Sequence, residues 1–245
     1  MEYQSDIVKE LKNAEISNYT FRPKGPSQQF EWLNTKHIND VIDQYHKLYP
    51  DFLYLGAVPS DFEEVHQLGL SNLNFNDFEK ENKFKIGMVI NLDESTQSGS
   101  HWVGLFFNLN NYQIYYYDSV GKQPIRKIKK FINRIYKYLY FKKFNYKLPL
   151  KNVVNILNSL KKNKIINYDI DNVHIQNILS NSIDIRHNHI QHQFKNTECG
   201  VYSIYFIIRM IRNELFDNVI NNPINDKNIN KFRENFFHNV ILKKN

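Results

Sequence analysis

Cys199 is the only cysteine among 245 residues, and its position favours a nucleophilic role. It lies where the polar stretch HQFKNTE gives way to the apolar run VYSIYFIIRMI. We predict that it begins a buried helix, where the positive end of the helix dipole and unpaired backbone N–H groups favour thiolate over thiol. A lone cysteine is more often a small buried hydrophobe. Here the neighbouring Glu198 and Gly200 indicate loop surroundings rather than core.

A thiolate nucleophile needs a base and a third group that orients the base. Among nine histidines, His101 directly follows the polar stretch ESTQSGS and begins a β-rich run, so its ring should lie at the edge of a sheet. Asp118 ends the next β-rich run. Antiparallel pairing of these strands would make His101 and Asp118 neighbours. A simple cross-strand surface contact explains that pair equally well on its own.

Acyl transfer also needs hydrogen-bond donors for the oxyanion that forms when the carbonyl is attacked. The backbone N–H of Cys199 is one candidate, and the side-chain amide of Gln193, in the preceding loop, is a second. Taken alone, a loop glutamine is usually just solvated.

The secondary-structure pattern indicates an α+β protein with a sheet at its centre. Three β-rich runs cover residues 85–92, 101–109 and 112–119, and the short stretch NLNN between the last two predicts a hairpin. The segment IDIRHNHIQHQ alternates as a further strand would. Helices are predicted from Asn34 or Thr35 to Pro50, from Ser60, from Pro124 to about Tyr140, over residues 151–162, and from Cys199 to about Arg212.

Composition limits the remaining function classes. One cysteine allows no disulfide within the chain and no Cys-rich zinc site, and we predict no metal and no cofactor. The first residues lack a secretory signal pattern and no apolar stretch is long enough for a membrane span, which predicts a soluble protein of a reducing compartment.

The net charge of +7 favours encounter with polyanions. Basic density peaks in residues 122–147, where aromatic residues at helical spacing indicate an amphipathic helix and leave DNA contact as an accessory hypothesis.

These residues resemble the clan of ubiquitin-like-protein proteases and adenovirus-type cysteine endopeptidases. The resemblance is carried by His101-Trp102 at a strand start, by YYYDS with Asp118, and by QFKNTECGVY, in which Gln193 precedes Cys199 by six residues. It spans about residues 85–212. Glu198 stands where many members have Asp, which is a conservative difference.

The resemblance implies a papain-like, adenain-like α+β fold in which a central mixed β-sheet packs against a buried helix that carries the nucleophile. It implies an N-terminal helical, substrate-side region over residues 1–80 and a catalytic core over 81–245. By the same resemblance Cys199 is the nucleophile, His101 the general base and then acid, and Asp118 the residue that orients it. Gln193 and the backbone N–H of Cys199 would form the oxyanion hole.

Two tryptophans are assigned to substrate binding by the same resemblance. Trp102 is similar to the aromatic wall beside the scissile bond, where a narrow passage selects Gly-Gly or Gly-Xaa sites because glycine has no clashing side chain. Trp32 lies in the stretch EWLNTKHIND, which resembles the segment before the substrate groove.

The resemblance implies that the substrate is a protein and leaves the class of that protein open. We favour the viral branch, whose members cut structural polyproteins during virion maturation and which includes relatives of the African swine fever virus protease; it implies the host cytoplasm and the virion as locations. The main alternative is a protease for SUMO- or ubiquitin-like modifiers. An acetyltransferase with the same triad and an inactive binding module rank lower.

Overall fold

A computed structural model describes residues 22–28, 30–144 and 183–238. The helices and strands, numbered in chain order, are α1 Thr35–Leu48, β1 Phe52–Val58, α2 Phe75–Lys80, β2 Lys85–Asn91, β3 Trp102–Asn108, β4 Gln113–Tyr117, α3 Arg126–Phe144, β5 Asp184–His187, α4 Cys199–Ile211, α5 Phe216–Asn221 and α6 Asp226–Phe236. Two short 3-10 turns, His66–Leu68 and Leu70–Asn72, precede α2.

The five strands form one mixed sheet in the order β1-β2-β3-β4-β5. The outer pairs, β1 with β2 and β4 with β5, are parallel, and the inner pairs, β2 with β3 and β3 with β4, are antiparallel. In the predicted β3–β4 hairpin, Gly104 pairs with Tyr117 and Asn108 with Gln113. This register brings the residue before β3 next to the residue after β4. The predicted α+β class with a mixed sheet is confirmed.

Each face of the sheet is covered by its own hydrophobic cluster. On β3, Val103, Leu105 and Phe107 join the cluster that α3 completes, and Trp102 and Phe106 join the cluster of α1, α4, α5 and α6. Every residue of β2 and β3 is buried, which explains why these strands read as continuous apolar runs instead of alternating ones. The second cluster surrounds α4, whose residues are all buried except Arg209.

Several predicted elements are confirmed, and one is wrong. Helix α1 begins at Thr35, with Asn34 as its N-cap, and α4 begins at Cys199 as predicted. The predicted helix from Ser60 is wrong, because residues 60–64 form turns closed by bonds such as Phe62 N–H to the Pro59 carbonyl. The left-handed Gly69 ends the 3-10 turn that follows. The predicted helix over residues 151–162 lies outside the described residues.

Strand β1 was missing from the predicted elements. It lies within residues 1–80, so the description of that region as helical is wrong in part, because β1 pairs with β2 of the core. A register shift between Tyr54 and Ala57 and the left-handed Gly56 interrupt the strand, and such a bulge hides the alternation by which strands are recognised. The division of the chain at residue 80 stays a prediction.

Candidate active site

His101 and Asp118 meet at one end of the β3–β4 hairpin, as the strand pairing predicted. His101 directly precedes β3 and Asp118 directly follows β4, and the His101 Nε2 to Asp118 Oδ1 distance is 2.7 Å. The Asp118 side chain is fully buried, whereas 19% of the His101 side chain is exposed. The same Oδ1 atom accepts a bond from the Val120 N–H at 2.9 Å. The carboxylate is therefore fixed from the backbone while it holds the ring.

Asn188, a residue that we did not predict, fixes the backbone of Asp118. Its Oδ1 accepts from the Asp118 N–H at 2.7 Å, and its Nδ2 donates to the Asp118 carbonyl at 2.5 Å and to the Ile190 carbonyl at 3.1 Å. The side chain is fully buried, so losing it would leave several buried polar groups without partners. In a chain this rich in asparagine, no local signal in the sequence singles Asn188 out.

Cys199 is the first residue of α4, where its backbone N–H has no acceptor within the helix. Only 2% of the residue is exposed. The expected loop surroundings are wrong: Glu198 is 1% exposed, and Gly200 lies so close to Leu33 that a Cβ would be 3.0 Å from the Leu33 Cβ. The sulfur thus lies in a closely packed place, next to the partly exposed ring of His101.

The imidazole of His101 is held as a cation between Asp118 and Cys199. Burial lowers the pKa of His101, but hydrogen bonds to Asp118 and Cys199 and the charges of both groups outweigh it and raise the pKa to about 9. Because Nε2 is bonded to Asp118, Nδ1 is the nitrogen left for the sulfur. An imidazolium beside a cysteine at a helix N-terminus is the environment of reactive thiols.

Gln193 is buried and bonded, not solvated. Its Oε1 accepts from the Ser119 hydroxyl at 2.6 Å, and its Nε2 donates to the Lys195 carbonyl at 2.7 Å. Its backbone N–H also bonds the Ser119 carbonyl at 2.9 Å. These contacts tie Gln193 to the residue after Asp118. A primary amide carries two N–H groups, so one remains for an oxyanion.

The two predicted substrate-side tryptophans are linked through Leu33. Trp102 is buried, and its indole N–H donates to the Leu33 carbonyl at 2.8 Å. Trp32 precedes Leu33 and is 43% exposed. Since Leu33 also touches Gly200, the segment that carries Trp32 lies against the start of α4. All six predicted site residues thus belong to one connected region.

A metal centre and a membrane span are two further features that the described residues could carry. No group of three or more His, Cys, Asp or Glu side chains there could hold a metal ion. No helix in those ranges is both long and apolar enough to cross a bilayer.

Comparison with known proteins gives concordant matches. Residues 72–243 match the family model described as the Ulp1 protease family, C-terminal catalytic domain. R355 of Acanthamoeba polyphaga mimivirus, which is named as a thiol protease, is 34% identical over 241 residues, covering 98% of this chain and 68% of R355. The cysteine protease S273R of African swine fever virus is 23% identical over 252 residues, covering 95% of this chain and 75% of S273R.

Solved structures agree with these matches at the level of the fold. The crystal structure of the African swine fever virus pS273R protease has a TM-score of 0.64 at 18% identity, covering 96% of this chain and 79% of that one. A structure of the SUMO protease Ulp1 has a TM-score of 0.51 at 17% identity, covering 86% and 78% of the two chains.

Proposed function

The chain belongs to the Ulp1 protease family and is a cysteine protease, and on that premise we propose that it is an endopeptidase whose nucleophile is Cys199. The observation that carries the proposal is the 2.7 Å bond between His101 and Asp118, on a ring that also interacts with the sulfur at the start of α4.

Each group has a role in the proposed reaction. The Cys199 sulfur attacks the scissile carbonyl, and imidazolium His101 gives its proton to the leaving amine. His101 then takes a proton from the water that hydrolyses the thioester. Asp118 keeps the ring oriented and stabilises its charge. The backbone N–H of Cys199 and the free amide hydrogen of Gln193 stabilise the oxyanion of both tetrahedral intermediates.

Selection of Gly-Gly or Gly-Xaa sites is part of the proposal, and the placement of the tryptophans supports it. Trp102 is anchored to the Leu33 carbonyl, and Leu33 lies against Gly200, directly after the nucleophile. A substrate that approaches Cys199 beside these residues has little room for side chains near the scissile bond. Glycine meets that restriction because it has no Cβ.

The experiment measures cleavage of peptides that contain Gly-Gly-Xaa or Gly-Xaa-Gly. The wild-type protein should cleave them, and Cys199→Ala should not. Ser203→Ala, which removes one polar atom from the same buried helix, serves as the control and should retain cleavage. Equal turnover by Cys199→Ala and the wild type would contradict the proposal.

We propose that the natural substrate is a viral structural polyprotein and that the enzyme acts in the host cytoplasm and in the virion. The viral sources of R355 and S273R support this choice. The alternative is a ubiquitin-like modifier, favoured by the likeness of the fold to a SUMO protease. A modifier with a C-terminal electrophile separates the two: rapid labelling at Cys199 would favour the alternative, and failure to label would favour a polyprotein.

Three other hypotheses have weaker support. The relatives are named as proteases, which favours peptide hydrolysis over acetyl transfer and over an inactive binding module. The hypothesis of DNA contact depends on the basic segment of residues 122–147, which contains α3. Several cations of this helix bind carboxylates instead: Lys127 binds Glu64 and Glu94, Arg134 binds Glu63, and Lys142 binds Glu79.

A further inference from the structure

Helix α6 presents three buried polar side chains toward the segment that leads to the nucleophile. Asp226, Asn230 and Arg233 are spaced four and three residues apart, which places them on one face of the helix. All three are buried, and Arg233 is fully so. Buried polar side chains in proteins usually have hydrogen-bond partners. Here most of the partners lie within residues 194–198, directly before the nucleophile.

Asp226 holds the first part of this segment. Its Oδ2 accepts from the backbone N–H groups of Phe194 at 2.9 Å and Lys195 at 3.0 Å. The Lys195 carbonyl is in turn the acceptor of the Gln193 side-chain amide. Asp226 therefore fixes the group that orients the proposed oxyanion donor.

Arg233 holds the last part and joins it to the substrate-side segment. Its Nη2 donates to the Thr197 carbonyl at 2.7 Å, two residues before Cys199, and its Nη1 donates to the Glu31 carbonyl at 2.9 Å, directly before Trp32. Its Nε donates to Asn230 Oδ1 at 2.8 Å. One guanidinium thus bonds both segments that flank the proposed groove, and its planar set of donors suits this better than a lysine ammonium would.

Asn230 completes the set through Glu198. Its Nδ2 donates to Glu198 Oε1 at 2.8 Å, and the same carboxylate accepts from the Thr197 N–H and hydroxyl. The result is a buried cation and a buried anion next to the nucleophile, each bonded to the asparagine between them. A buried charge without its partner would be strongly unfavourable.

We propose that Arg233, supported by Asp226 and Asn230, is a positioning residue of the active site, which fixes the Cys199 segment against the substrate-side segment and supplies positive charge near the sulfur. The inference rests on the proposed role of Cys199 as nucleophile. It makes α6 part of the catalytic apparatus, although no residue of this helix is expected to touch the substrate.

The charges around Cys199 support an electrostatic contribution. His101 lies beside it from the start of β3, Glu198 precedes it, and Arg233 approaches from α6. Burial lowers the pKa of Arg233 to about 10, against the raising effects of Glu198, Cys199 and Glu31. Arg233 therefore stays cationic at neutral pH, and its positive charge offsets the buried carboxylate of Glu198, which would otherwise disfavour a second negative charge at Cys199.

The experiment uses the fact that the full chain has a single cysteine, so iodoacetamide alkylation followed by intact mass reports on Cys199 alone. Arg233→Met removes the charge, Arg233→Lys keeps it without the three-way bonding, and Lys231→Met removes an exposed charge from the same helix as a control. Alkylation at neutral pH, its pH profile, and kcat and KM for peptide cleavage are measured for the folded fraction of each variant.

We expect Arg233→Met to slow alkylation at pH 7 by about tenfold or more and to move its pH profile toward alkaline pH. Arg233→Lys should keep the wild-type alkylation rate and lose about tenfold in kcat with little change in KM, because one ammonium cannot hold both carbonyls. Lys231→Met should match the wild type in both assays.

Wild-type alkylation and kcat in Arg233→Met would overturn the inference, even if that variant unfolds at lower temperature, since a merely structural role predicts that pattern. If Arg233→Met does not fold, Arg233→Lys decides, and an unchanged kcat in it would overturn the inference. A wild-type sulfur that reacts no faster than an ordinary thiol would instead contradict the proposed function. The two failures are therefore distinguishable.

Discussion

His101 lies between Asp118 and Cys199, and both groups raise its pKa. Against the lowering effect of burial, Asp118 and Cys199 bring the pKa to about 9, so the ring is charged at neutral pH and loses its proton as the pH rises through that value. The proposed reaction needs the charged ring to protonate the leaving amine. Activity should therefore decline on the alkaline side with a midpoint near pH 9.

Asp118→Asn should move this alkaline limb to lower pH. Asparagine can accept the same bond from His101 through its Oδ1 but has no charge, so the pKa of His101 falls and kcat/KM drops by about tenfold more at pH 8.5 than at pH 7. Peptide cleavage across the pH range measures the effect. Asp77→Asn, which removes an exposed carboxylate on α2, controls for net charge. An alkaline limb that stays in place would show that Asp118 does not set the charge of the ring.

Some site residues could be predicted from the sequence and others could not, for a physical reason. His101 and Asp118 are 17 residues apart on one hairpin, so local strand pairing alone brings them together. Asn188 bonds Asp118 across 70 residues, and Arg233 bonds Thr197 across 36. Those contacts depend on how β5 and α6 pack, which periodicity along the chain does not specify.

The sheet and α4 set the distance between the nucleophile and its base. Their contact depends on Gly104 in the middle of β3, where a Cβ would lie 2.6 Å from the Phe206 ring. The hairpin and α4 are recognisable from local pattern, but this close approach is not, because Phe206 comes from an element far along the chain. Likewise, β1 needs its parallel partner β2 to be recognised as a strand.

Gly104→Ala should destabilise the protein by about 1–3 kcal/mol, because the added methyl group overpacks the contact between β3 and α4. Chemical denaturation monitored by circular dichroism measures the loss. Phe206→Leu provides room, so the double variant should be less destabilised than the sum of the two single changes. Additive losses would mean that the two positions are not in tight contact.

At the scale of the whole molecule, part of the basic charge behind the net charge of +7 lies on α3, where several cations are paired with carboxylates. Lys127 bridges Glu64 and Glu94, and Arg134 binds Glu63 as well as backbone carbonyls of residues 70, 71 and 73. These contacts join α3 to two segments, one that precedes β2 and one that follows it. Within the described residues, part of the basic charge therefore stabilises the fold through these ion pairs.

Double-stranded DNA should therefore change peptide cleavage little, by less than about twofold in kcat/KM at low salt. A true polyanion effect must weaken as salt rises, so the assay is repeated over a salt series, with heparin as a matched polyanion. Activation by DNA that disappears with added salt would restore the hypothesis of a functional basic surface.

The pH dependence of Cys199 alkylation in the wild type and in His101→Gln tests the central claim most directly. An ordinary thiol has a pKa of about 8.5 and reacts slowly near pH 6. The account predicts that the wild type still reacts there, at least about tenfold faster than His101→Gln, because the imidazolium stabilises the thiolate. Coincident profiles for the two proteins would contradict it, since the sulfur would then not depend on the ring beside it.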